Sequence, residues 1–76
     1  MNRKEKQHLA RAIGERIMLF RSEVGLSQSD LAERLKSDKS TVSRYESGMR
    51  LPDYVTLRKI ANELGLTIDE LLPEEG

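Results

Sequence analysis

Three observations predict an all-α domain of five helices. Apolar residues recur at spacings of three and four along most of the chain. No stretch alternates apolar and polar residues in the way a half-buried strand would. Residues that open helices (Ser27, Asp38, Asp53, Thr67) and residues that close them (Gly25, Gly48, Gly65, Pro73) bracket these runs in order. With 76 residues there is room for one small domain, its core marginal by size.

Residues 1–8 read as a flexible basic N-terminus, carrying Arg3, Lys4 and Lys6. The folded domain is expected over 9–72, with 73–76 as a tail. A long helix should begin at His8 or Leu9 and run to about Val24. Leu9, Ile13, Ile17, Phe20 and Val24 form its core stripe by period. Gly14 inside this helix costs up to ~1 kcal/mol against Ala, and close helix packing is the simplest reason for it. Met18 and Leu19 lie off the stripe and are expected at the surface. His8, the only histidine, has no second ligand beside it and reads as a surface residue, neither metal-binding nor catalytic.

The next two helices are short. Ser27 can cap the first by accepting a hydrogen bond from the Asp30 N–H, and Leu31, Ala32 and Leu35 give it one apolar side. Lys36, Ser37 and Asp38 break the pattern, and Asp38 caps a second helix over 39–47, its charge suited to the positive helix end. There Val42 and Tyr45 are the only apolar residues, while Lys39, Ser40, Ser43 and Arg44 make the opposite face polar. A helix with so thin an apolar seam is held by its neighbours. Farther on, Pro52 excludes a helix through the loop. Asp53 opens a fourth helix over 54–64, with Leu57, Ile60, Ala61 and Leu64 facing the core. Thr67 and Glu70 have capping-box spacing and open a last helix of one to two turns through Leu72.

The stretch from Ser27 to Gly48, SQSDLAERLKSDKSTVSRYESG, resembles the helix-turn-helix of the Cro and phage-repressor (XRE-like) family of DNA-binding proteins. Gln28, Ala32, Val42 and Tyr45 fill the family's marked positions: Gln first, a small residue four later, apolar residues fourteen and seventeen later. A small side chain at Ala32 lets the two helices cross closely. Two positions depart: the family usually has Gly where this chain has Lys36, and an apolar residue where it has Ser37. The resemblance covers roughly residues 13–72. It implies a compact lambda-repressor-like domain with the helix-turn-helix as helices two and three.

It also implies roles. The start of the second motif helix enters the major groove, which puts Lys39, Ser40, Ser43 and Arg44 at the base edges. Arg44 can donate two hydrogen bonds to guanine O6 and N7. Gln28 is expected to hold a phosphate, with Ser27, Ser47 and Arg50 as further phosphate ligands. Arg21 and Glu46 match family positions that pair behind the motif as a structural ion pair. In the family two copies bind a near-palindrome, so a homodimer on double-stranded DNA is expected. Leu66, Ile68, Leu71 and Leu72 are more apolar than so short a last helix needs, and they could serve dimerisation or the core. Since nothing after Gly76 could take an effector, control is expected through the protein's own concentration or a separate regulatory protein partner.

The bulk composition fits. The formal charge is zero, but residues 1–50 hold eleven Lys/Arg against seven Asp/Glu, and 51–76 hold two against six. Arg34 to Arg50 alone carries five basic residues and two acidic ones. A local basic surface governs phosphate binding more than the molecular sum. Without cysteine there is no disulfide framework or thiolate metal site. No apolar run nears the ~20 residues of a membrane span, so the expected location is the cytoplasm. Neither a nucleophile with its base, nor a metal set, nor a phosphate-cradling glycine loop is present, so no catalytic residues and no cofactor are expected. The rival reading is a protein-interaction module, such as an antitoxin-like partner protein.

Overall fold

The computed structural model describes residues 1–73; the expected tail, Glu74 to Gly76, lies outside the described residues. Helix α1 spans Arg3–Glu23, α2 Gln28–Arg34, α3 Lys39–Ser47, α4 Tyr54–Leu64 and α5 Ile68–Leu71. All regular structure among the described residues is helical, as the periodicity predicts.

Most boundaries follow local chemistry. Ser27 Oγ accepts from the Asp30 N–H at 3.0 Å, and Asp30 returns the bond by accepting from the Ser27 N–H at 2.9 Å. Asp38 caps α3 by accepting from the Thr41 N–H at 2.8 Å, and Asp53 caps α4 through the Thr56 N–H at 2.8 Å. Glu70 accepts from both the N–H and the hydroxyl of Thr67, at 3.1 and 3.2 Å, and opens α5.

Two expectations for the first helix are corrected. It does not begin at His8 or Leu9 but at Arg3, because Asn2 Oδ1 accepts from the Glu5 N–H at 2.8 Å and starts the helix ahead of its apolar stripe. Val24, assigned to the core stripe, is 51% exposed. The helix ends at Glu23, and Gly25, at φ 77°, turns the chain before Val24 can be covered.

Ile13 and Ile17 from α1, Leu31 from α2, Val42 from α3, Ile60 from α4 and Leu71 from α5 are fully buried and join one core. Met18 and Leu19 are exposed, as expected. In the last helix Leu71 is wholly committed to the core, while Leu66, Ile68 and Leu72 pack against it half-buried. Gly14 marks the closest approach of two helices: a Cβ there would run into the Tyr45 and Glu46 carbonyl oxygens of α3. No helix among the described residues is long and apolar enough to cross a membrane.

Candidate nucleic-acid interface

Helix α3 is nine residues long and sorts its side chains by face. Val42, Tyr45 and Glu46 are buried, and Lys39, Ser40, Ser43, Arg44 and Ser47 are exposed, Ser40, Arg44 and Ser47 on the side opposite the core and Lys39 at the edge of the exposed arc. That polar stripe combines two cations with three hydroxyls, the donor types that can address base edges and phosphates. Among the described residues neither Lys39 nor Arg44 is tied into a salt bridge. Ser40 donates to Asp38 Oδ1 at 3.3 Å and Ser47 to the Arg44 carbonyl at 3.2 Å, weak local bonds that a ligand could replace.

The back of α3 is clamped. Glu46 receives Arg21 Nε at 2.6 Å on one oxygen, and Arg21 Nη2 at 3.0 Å on the other. Arg21 Nη1 donates to the Leu26 carbonyl at 2.7 Å, which ties the end of α1 to the same knot. The side chains of Arg21 and Glu46 are only 13% and 4% exposed. Hydrogen bonding to Glu46 raises the Arg21 pKa above its ordinary value against the opposing effect of burial. The pair is therefore bidentate and largely removed from water.

Gln28, expected at a phosphate, donates its Nε2 to Glu46 Oε1 at 3.0 Å. One N–H of that amide is thus used inside the molecule and the second remains for a ligand. Beside it, the backbone N–H groups of Gln28 and Ser29 have no helical acceptor, being in the first turn of α2. Beyond the end of α3 the Arg50 guanidinium lies over the Tyr45 ring, 5.7 Å from its centre, which restrains an otherwise exposed side chain. Between α2 and α3, Lys36 takes φ 55°, the left-handed conformation for which the family usually has glycine. The Ser37 N–H reaches the Ala32 carbonyl at 2.8 Å and the Lys36 N–H the Glu33 carbonyl at 3.1 Å, closing α2 in a Schellman turn.

The structure thus exposes Lys39, Ser40, Ser43, Arg44 and Ser47 along α3, with Ser27 and Gln28 at the start of α2 and Arg50 beyond the end of α3. Sequence reasoning missed the Gln28–Glu46 bond and the Arg50–Tyr45 stack. Both join residues on different elements or across a turn, and no local spacing marks them. Asn2 as a cap was visible in principle, since Asn followed three residues later by Glu is a helix-start pattern.

A helix-turn-helix family model matches residues 17–71. The chain is 36% identical over 61 residues to the HTH-type transcriptional activator BcrR of Enterococcus faecalis, covering 80% of this chain and 30% of that protein. It spans 30% to 55% of the length of that regulator and of several from Bacillus subtilis that it resembles. Among solved structures it is similar to the restriction-modification controller protein C.AhdI from Aeromonas hydrophila. The TM-score is 0.79 at 33% identity, covering 83% of this chain and 96% of that one. It is also similar to part of the hydroxypropylphosphonic acid epoxidase from S. wedmorenis, with a TM-score of 0.82 at 28% identity, covering 90% of this chain and 36% of the enzyme.

Proposed function

This chain belongs to the helix-turn-helix family of transcriptional regulators, and on that premise we propose that it is a cytoplasmic repressor that binds a near-palindromic operator as a homodimer. In this reading Lys39, Ser40, Ser43 and Arg44 read base edges from the major groove. Ser27, Gln28, Ser47 and Arg50 hold phosphates on either side. The Arg21–Glu46 pair sets the angle at which α3 is presented.

The observation that carries the reading is the contrast between the two sides of α3. Its exposed side bears two cations without salt-bridge partners among the described residues, while its back is held by three hydrogen bonds to Glu46, two from Arg21 and one from Gln28. Such stiff support behind an open polar face suits recognition of a fixed ligand, because little side-chain and helix freedom is lost on binding. The likeness to part of an epoxidase is a reminder that the fold alone does not require DNA. An interaction module is the second reading that the fold allows. It needs no cations on the front of α3, and its binding would depend only slightly on salt.

Selection from a pool of random duplexes tests the proposal. The expected product is a near-palindrome with half-sites one helical turn apart, ~34 Å, bound with an affinity that falls steeply as salt rises. A pool that yields no enrichment, or one unrepeated half-site, would sink the operator and homodimer.

A further inference from the structure

The first turns of α1, residues 3–11, lie ahead of the region matched by the family model, which begins at residue 17. Arg3, Lys4, Lys6 and Arg11 stand on them, all exposed, against a single carboxylate, Glu5. That carboxylate accepts from Asn2 Nδ2 at 3.0 Å and is engaged in capping the helix. None of the four cations forms a salt bridge among the described residues. A chain of zero formal charge therefore concentrates an excess of positive charge on a rod roughly 12 Å long. The rod adjoins the reading helix: a Cβ added to Gly48, at the end of α3, would stand 2.8 Å from the Arg11 Cα. The two backbones meet there.

We propose that these turns of α1 form a second, sequence-independent phosphate-binding surface, which grips duplex DNA beside the half-site read by α3. The inference rests on the DNA-binding reading above. Four points carry it: charge complementary to a phosphate backbone, the lack of intramolecular ion partners, the Asn2 cap, and continuity with α3. The cap matters because cations on a formed helix are already in place, whereas those on a loose arm lose freedom when they bind. Each phosphate neutralised releases counterions, so the surface adds affinity and salt dependence without reading sequence.

The test compares the full chain with an Arg3→Ala, Lys4→Ala, Lys6→Ala triple variant. Alanine is the strongest helix former, so α1 persists, and circular dichroism verifies it. Each protein is titrated at several salt concentrations against two duplexes. One holds only the selected half-sites; the other adds about one helical turn on each side. With the unaltered chain, the plot of log affinity against log salt should be steeper on the longer duplex by about two units, roughly one phosphate contact from each of the two copies. The triple variant should abolish that difference, at about 0.9 unit per lost phosphate contact. The order of preference among single-base variants of the site should not change. Equal slopes for both proteins on the longer duplex would overturn the proposal and leave the DNA-binding reading standing. If the unaltered chain binds neither duplex, the DNA-binding reading falls and takes this inference with it.

Discussion

Lys36 is one of two motif positions at which the chain departs from the family's usual pattern, and its backbone conforms nonetheless, at φ 55°. A left-handed residue with a Cβ costs roughly 1–2 kcal/mol, part of which glycine would give back through its freer unfolded chain. Lys36→Gly should therefore raise the melting temperature by roughly 2–6 °C with little change in DNA affinity. A lower melting temperature would mean that the Lys36 side chain makes a contact worth more than the strain. Arg44 and Gln28 test the proposed division between reading and holding. Arg44→Ala should cost ~1–3 kcal/mol on the selected site and flatten discrimination at one base pair per half-site. Gln28→Ala should weaken all sequences about equally and keep their order. Because Gln28 also donates to Glu46, that variant should lose stability as well, by about 1–3 kcal/mol for a hydrogen bond to a charged group. Titration against single-base variants of the site decides. If Arg44→Ala weakens every site alike, Arg44 is a phosphate ligand.

At the scale of elements, α3 is a helix that its own sequence could not stabilise. Two apolar residues are its only hydrophobic anchor, and the rest of its hold is the Glu46 knot. Glu46→Ala would leave the Arg21 guanidinium largely buried without its anion, a loss of ~3–5 kcal/mol. Glu46→Gln, which keeps an acceptor for Arg21, should lose less. Urea unfolding measures both, and an alanine variant within ~1 kcal/mol of the parent would reduce the pair to a surface contact. The helix starts make a separate prediction. Hydrogen bonds from Thr41, Ser27 and Thr56 hold the carboxyls of Asp38, Asp30 and Asp53 below the ordinary value. A carboxyl whose pKa is lower folded than unfolded binds fewer protons in the folded state, so its contribution is present above the ordinary carboxylate range and lost as pH falls through it. Melting temperature should accordingly hold between about pH 5 and pH 7 and drop below about pH 4. Asp38→Asn, still a good cap, should soften the drop. An acid profile unchanged by that substitution would remove Asp38 from the account. These caps were legible because each pairs residues three apart in sequence. So was the left-handed site, by resemblance to the family. The early start of α1 was hidden because the apolar stripe begins only at Leu9. Val24 kept the period of the stripe but lay past the helix end, and periodicity cannot say where a helix runs out of partners to pack against.

At the scale of the whole molecule, the described domain measures 32 × 22 × 20 Å, so one copy cannot cover more than about one turn of duplex. Two copies reading half-sites one turn apart, ~34 Å, would lie nearly in contact on one face of the DNA, where even a small shared surface gains from the high local concentration. The core has already taken Leu71 and partly covers Leu66, Ile68 and Leu72, so that shared surface is expected to be modest and the pairing to depend on the spacing of the sites. Inserting about five base pairs between the selected half-sites turns the second copy to the opposite face. Affinity for the full site should then fall to that of an isolated half-site. Inserting about ten restores the face but doubles the distance to roughly 68 Å, beyond the reach of two domains whose longest dimension is 32 Å. Binding should therefore not recover. Recovery at ten would point to contact carried through something longer than this domain. Full affinity retained at five would mean that the copies bind independently, and the homodimer would have to be abandoned while reading by α3 could stand.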